Sequence, residues 1–228
     1  MMSEPSSLFQ WSTPYVGRRI SKEKFYEHSA DARKLKENFV REVERVTWAH
    51  RLDPDSLNLD GSDAVPEILI LEVEAKGDDV SEEVLAAIDA AIPHPIIFEV
   101  LRSESMRPEA RTAAVMRLPG ARTSACRHFT SRWCDAQKRL EPLPVALSLE
   151  GLYLRILGRI LEVPARSGED FGGYRVRVAE IERCRREVER LGRRIRAERQ
   201  FNRRVELNGQ KKDAGRRLEA LLAPEIEG

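Results

Sequence analysis

The apolar positions of this chain change their period several times, and each change marks an element. Leu35, Phe39, Val43 and Val46 stand four, four and three positions apart. That is one face of a helix, so the spacing predicts a helix over about 30–48. Ser29 stands at its expected N-cap, with Asp31 in the first turn to complement the helix dipole. Residues 1–28 show no such period, and Pro14 and Gly17 make them a loop with turns. Residues 53–65, with Pro54, Asn58, Gly61 and four aspartates, read the same way.

From Glu67 to Lys76 the sequence EILILEVEAK is dense in Ile, Leu and Val and predicts a strand. Ser81 then precedes EEVLAAIDAAI, whose stripe of Val84, Leu85, Ile88 and Ile92 predicts a helix ended by Pro93. PIIFEVL (95–101) is a second strand. Strand, helix and strand with short joins form a βαβ-like unit, so the two strands are expected to run parallel. Residues 113–130 read as a hairpin turning at Pro119-Gly120, and 144–149 as a further short strand. Leu152, Ile156, Ile160 and Leu161 predict a helix over 149–161. Residues 162–173 have the composition of a linker. A long helical run follows from about 174 to 222, with Ile181, Val188, Leu191 and Ile195 on a heptad seam. The seam does not continue cleanly: Glu198 and Asn202 take core slots, and Phe201 and Val205 return on a shifted register.

Charge changes this picture more than length does. Of 228 residues 34% are charged, above the globular average of about a quarter, so a long solvated helix is expected to carry the excess. The net charge of +1 hides a division. Residues 51–104 hold 14 acidic groups against 3 basic, a net of −11; residues 175–217 hold 16 basic against 7 acidic, a net of +9. Such asymmetry implies an internal electrostatic contact or two different partners. Three cysteines with no C-x-x-C pair fit a reducing compartment. The start MMSEPSSLFQW lacks the basic and apolar regions of a signal peptide, and no apolar run reaches the roughly 18 residues of a membrane span. A cytoplasmic protein is expected.

Few constellations carry chemistry. Glu74-Ala75-Lys76 is an E-x-K at a strand end. Restriction-type nucleases place two carboxylates there to hold Mg²⁺ and a lysine to polarise the attacking water. The second acid would be Glu67, Asp60 or Asp63, although strand alternation turns Glu67 away from Glu74. Otherwise Glu72, Glu74 and Lys76 are the wet end of a half-buried strand. Cys126, His128 and Cys134 lack zinc spacing and are explained by packing. No nucleophile elbow, P-loop or dinucleotide fingerprint is present. RRISKEKFYEH offers Lys22 and Lys24 for phosphates and Phe25 and Tyr26 for bases, unless those aromatics dock on the core. In the tail, Arg190, Arg193, Arg194, Arg196, Arg199, Arg203 and Arg204 crowd a few helical turns, suited to phosphate or carboxylate pairing.

These segments resemble the domain of unknown function 4391 family of bacteria. ISKEKFYEH (20–28), VTWAHRLDPDSLNL (46–59), EILILEVEAK, AIDAAIPHPIIFEV (87–100), PLPVALSLEGLYLRIL (142–157) and RQFNRRVELN (199–208) look like its motifs in order, over nearly the whole chain. Val115-Met116-Arg117 departs from an aromatic-lysine pair expected near there. The resemblance implies no assigned activity. It does imply genes placed beside helicases and DNA methyltransferases in restriction or antiphage clusters, and so an accessory role.

The expected fold is α+β: a small mixed sheet flanked by helices (1–162), a linker (163–173) and a basic helical, coiled-coil tail (174–228). The expected function is a non-catalytic adaptor of a DNA-processing defence system, without cofactor. It would bind a helicase- or methyltransferase-type partner and possibly DNA, and could self-associate through the tail. Phe201 and Val205 would anchor the partner while Asn202 and Asn208 fix register. The alternative is a Mg²⁺-dependent nuclease using Glu74 and Lys76 with Glu67.

Overall fold

A computed structural model describes residues 9–26, 31–102, 108–119, 126–136 and 140–223; the expected cap Ser29 and the expected turn at Gly120 lie outside these. Within them the helix expected over 30–48 divides. Helix α2 is Ala32–Glu42, and strand β3 is Val43–Leu52. Val43 and Val46 still face the same core as Leu35 and Phe39, but from a strand. The run V-E-R-V-T-W explains the switch, since branched and aromatic side chains favour a pleated surface. Tertiary pairing completes it, for β3 lies antiparallel to β4 (Ile68–Ala75), with Val46 opposite Val73.

Strand β4, helix α4 (Glu82–Ala91) and strand β5 (Ile96–Arg102) form the expected βαβ unit. The strands are parallel, with Leu71 beside Phe98 and Glu72 beside Glu99. Strand β6 (Glu109–Arg117) runs antiparallel to β5. The mixed sheet extends from β2 (Arg18–Ile20) through β3, β4, β5 and β6 to β7 (Cys126–Thr130), with β8 (Cys134–Asp135) also on β6. The segment expected to be a loop thus supplies β2, a short helix α1 (Glu23–Tyr26), and β1 (Phe9–Gln10), which pairs in parallel with β9 (Glu141–Pro142). No strand forms at 144–149; Val145 and Leu147 are exposed.

One face of the sheet presents Leu69, Leu71, Val73, Phe98 and Val100 to Phe25, Tyr26, Phe39, Val84, Leu85 and Ile88. The opposite face carries Ile68, Ile70 and Ile97, also fully buried. Burial on both faces is why β4 and β5 read as continuous apolar runs. Helix α3 (Pro54–Leu57) is one turn closed by an Asp53–Ser56 capping box. Helix α5 (Leu149–Leu161) matches its expected limits and buries nine residues, among them Leu149, Leu152, Ile156 and Leu157. It starts at Ser148, whose Oγ accepts from the Gly151 amide at 3.1 Å. Ser148→Ala is expected to cost about 1 kcal/mol in chemical denaturation, the usual worth of a serine cap. An unchanged midpoint would show that this bond contributes nothing.

Contacts divide the chain into two compact units, 1–116 with 126–164 and 117–125 with 165–228. The second contains α6 (Phe171–Ala197) and α7 (Phe201–Leu222). The helical run over 174–222, whose sequence leaves a rod and a hairpin equally open, is broken at 198–200, where the chain reverses into an antiparallel hairpin. Leu191 packs with Leu207 and Ala214, and Val188 and Ile195 lie against them. Glu187 reaches Arg217 at 3.4 Å, and Arg166 donates to the Ala220 carbonyl at 3.1 Å. The register shift at Phe201 is therefore a turn rather than a step within one helix. The tail is helical, but Leu207 and Ala214 are the side chains that α7 buries, too few for a heptad seam along it. Asp170 caps α6 by accepting from the Gly173 amide at 2.6 Å. The buried pair Arg177–Glu169, at 2.6 Å, fixes the first turns. No described helix is long and apolar enough to cross a membrane.

Candidate functional site

The hairpin sorts its arginines into two kinds. Along the arms most are tied within one turn: Arg183 to Glu180, Arg185 to Glu182, Arg193 to Glu189 at 2.6 Å, Arg203 to Glu206 at 2.5 Å and Arg216 to Asp213. Arg190 stands 3.9 Å from Glu187. Pairs of this sort are mostly mutual solvation on a helix face. Around the turn the pattern differs. Arg194, Arg196, Arg199 and Arg204 are exposed and, among the described residues, have no carboxylate within ion-pair distance. A Cβ placed on Gly192 would stand 3.8 Å from Arg196 Nη1 and 3.9 Å from Lys211 Nζ, so cations of both helices crowd that glycine. The first turn of α7 itself holds no acid, and just before it Glu198 Oε1 accepts from the Gln200 amide at the N-cap at 2.9 Å.

Apolar side chains lie in the same region. Phe201 is 76% exposed and Val205 55% exposed. Asn202 is exposed beside them, whereas Asn208 spends its amide on the Arg204 carbonyl at 2.8 Å, one turn back in its own helix. Asn208 is thus tied within α7, and Leu207 is the residue that sets the packing of that helix.

The N-terminal basic segment is built differently. Phe25 and Tyr26 are buried against Phe39, Phe25 stacked with centroids at 5.8 Å and Tyr26 tilted at 5.7 Å, so both rings are taken by the core. Lys22 Nζ donates to the Val43 carbonyl at 2.8 Å, while Lys24 is exposed.

The E-x-K residues are dispersed. Glu74 pairs with Arg45, its neighbour on β3. Lys76 donates to the Val40 carbonyl at 2.9 Å and stands 3.8 Å from Glu44. Glu67 lies at the other end of β4, held by Arg51 at 2.6 Å with His94 at 3.5 Å. Seven residues of strand separate Glu67 from Glu74 by about 23 Å. Asp60, whose carbonyl accepts from the Leu149 amide, and Asp63 also belong to the segment entering β4. Among the described residues no group of three His, Cys, Asp or Glu is placed to hold a metal. Cys134 Sγ donates to the Ala110 carbonyl at 3.2 Å.

The most unusual carboxylates were not singled out by their spacing. Glu72 and Glu99 are in-register neighbours on parallel strands, 4% and 2% exposed. Glu72 is therefore not part of a wet strand end. Trp11 Nε1 donates to Glu99 Oε1 at 2.5 Å, and the Tyr15 hydroxyl donates to Glu72 Oε2 at 2.9 Å. Burial pushes Glu99 up to about 8, against the bond from Trp11 and with the help of Glu72. Burial raises Glu72 as well, and raises Tyr15 to about 12. The cover is completed by His50 Nδ1, 2.9 Å from the Thr13 carbonyl. A sequence signal did exist: ILEV and IFEV place the same Glu-Val pair at matching points of two strands already expected to be parallel.

Among known proteins, a family model described as a domain of unknown function, DUF4391, matches residues 12–218. No curated protein and no solved structure matches the chain.

Proposed function

Because the chain belongs to the domain of unknown function 4391 family, whose description assigns no activity, we propose a role from its geometry. The protein is a non-catalytic, cytoplasmic accessory subunit of a bacterial DNA-processing defence or restriction-like system. The tip of its helical hairpin docks on an anionic surface, that of a helicase-type partner or of DNA held by that partner.

One observation carries this reading: four arginines without carboxylate partners, Arg194, Arg196, Arg199 and Arg204, gather around the turn, and exposed Phe201 and Val205 stand among them, while Arg186 on the arm is unpaired as well. Unpaired guanidinium groups suit bidentate oxyanions, and an aromatic among them supplies the apolar contact that concentrates binding energy. The nuclease alternative draws no comparable support, since Glu74 is neutralised by Arg45 and Glu67 stands at the far end of its strand.

The test replaces Arg194, Arg196, Arg199 and Arg204 by glutamate in the full chain. Co-purification from the native host and duplex DNA binding by fluorescence anisotropy are then compared with the parent. Loss of the helicase-type partner, of DNA, or of both is expected. Direct DNA binding would also weaken with salt, at a slope of about −4 for four phosphates neutralised. Retention of every ligand by the variant would reject the tip as the docking element. Light scattering on both proteins separates self-association from capture of a partner.

A further inference from the structure

The turn from β4 into α4 reads Lys-Gly-Asp-Asp-Val-Ser over 76–81. It leaves the carboxyl end of a parallel strand, the place where open sheets with helical crossovers form crevices for ligands. Here a cleft of about 520 Å³ opens between this turn, the start of α4, Glu42 at the end of α2, Arg111 on β6 and His128 on β7. That volume suits a small molecule.

Three polar atoms of its lining are buried with no hydrogen-bond partner in the protein: Ser81 Oγ, Arg111 Nε and His128 Nε2. Each departs from the habit of its residue. Ser81 holds the N-cap position of α4, where a serine hydroxyl ordinarily accepts an amide of the first turn; this one does not. The Val84 and Leu85 amides go to its carbonyl, and its own amide donates to Glu42 Oε2 at 2.9 Å. Arg111 gives Nη2 to Asp79 at 2.6 Å and lies over the Trp133 ring at 4.9 Å, leaving Nε unused on a side chain 13% exposed. Burial holds the His128 imidazole below its ordinary pKa, so it is neutral at pH 7 and able to present an N–H at Nε2. A buried donor left unmade costs about 1–3 kcal/mol, and three in one cleft form a vacant set of donors.

The surrounding charge selects the ligand. Glu42, Asp78, Asp79 and Glu82 place carboxylates around the donors. A phosphate dianion would meet repulsion from all four, and a simple cation would leave Arg111 Nε and the Ser81 hydroxyl without an acceptor. A molecule with one carboxylate and one ammonium or guanidinium group answers both halves of the site.

We propose that this cleft binds a small zwitterion of the amino-acid type, its carboxylate accepting from Ser81, Arg111 and His128 and its cationic group facing Glu82 and Asp79. The full-length protein, labelled on its histidine rings, would be titrated with the pooled proteinogenic amino acids. Two control titrations use the matching decarboxylated amines and inorganic phosphate. Saturable movement of the His128 ring signals is expected with the amino acids alone. Arg111→Gln is expected to weaken that response by about tenfold or more, the worth of a hydrogen bond to a charged group. Ser81→Ala keeps the test independent of folding. Its hydroxyl makes no bond within the protein, so the thermal midpoint without ligand should be unchanged or raised while affinity falls. An equal response to the amines or to phosphate would overturn the ligand class. Silence of His128 toward every pool, or full affinity in both variants, would overturn the site.

Discussion

Glu99→Gln is expected to yield a protein more stable than the parent at pH 8 and above, with the advantage shrinking toward pH 5. The sign follows from proton counting. In the folded chain Glu99 holds its proton up to about 8, whereas in the unfolded chain it releases it near 4.3. Between those values the folded state binds one more proton than the unfolded state, so stability falls as pH rises across the window. One such proton is worth up to about 1.4 kcal/mol per pH unit. Above the folded value the carboxylate is ionised beside Glu72 inside the fold, and the penalty stands in full. Glutamine carries no charge at any pH and keeps an oxygen for the Trp11 indole. Glu72, raised by the same burial, acts in the same direction and will keep part of the slope in the variant. Urea denaturation of both proteins from pH 5 to 9 measures the difference. Curves that run parallel across the range would mean that Glu99 is ionised in the fold at neutral pH.

The second large effect is expected at Leu207. Helix α7 spans 22 residues and buries two of them, Leu207 and Ala214. Gly209 and Gly215 lower its intrinsic helicity, and Gln200 provides no side-chain cap. A helix of that kind is stable only while packed. Leu207→Asp places a carboxylate against Leu191 and Ala214, at a cost of several kcal/mol. Hydrogen exchange should then show α7 amides opening freely, while those of β4 and β5 keep their protection. Val205→Ser, at an exposed position two residues away, should stay within about 0.5 kcal/mol of the parent. Intact protection of α7 in the aspartate variant would place its stability elsewhere.

The β4–α4–β5 unit and α5 were legible in the sequence because burial on both faces, or on one wide face, writes a dense apolar pattern. The boundary between α2 and β3 was not. Val43 and Val46 satisfy a helical period by coincidence, and pairing with β4, which no local window contains, decides in favour of the strand. The hairpin turn was visible as a register shift, but Glu198-Arg199-Gln200 holds neither glycine nor proline to mark a stop. Of the expected tip residues, the structure leaves Phe201, Val205 and four arginines open and ties Asn208 into its own helix. Glu72 and Glu99 escaped because their partners, Tyr15 and Trp11, lie 57 and 88 positions away. Distance along the chain hid the cover that makes them unusual.

The hairpin also works as a ruler. With 27 residues rising about 1.5 Å each, α6 spans about 40 Å from Phe171 to its turn. Whatever docks at the tip is held at that distance from the Asp170 cap, by a count of residues rather than by the strength of any contact. Adding one residue to each arm would lengthen the reach by about 1.5 Å and rotate the cationic cluster by about 100° around the axis. Reach and bearing are therefore locked together, and an arm of another length presents the same arginines in another direction unless it changes by whole turns.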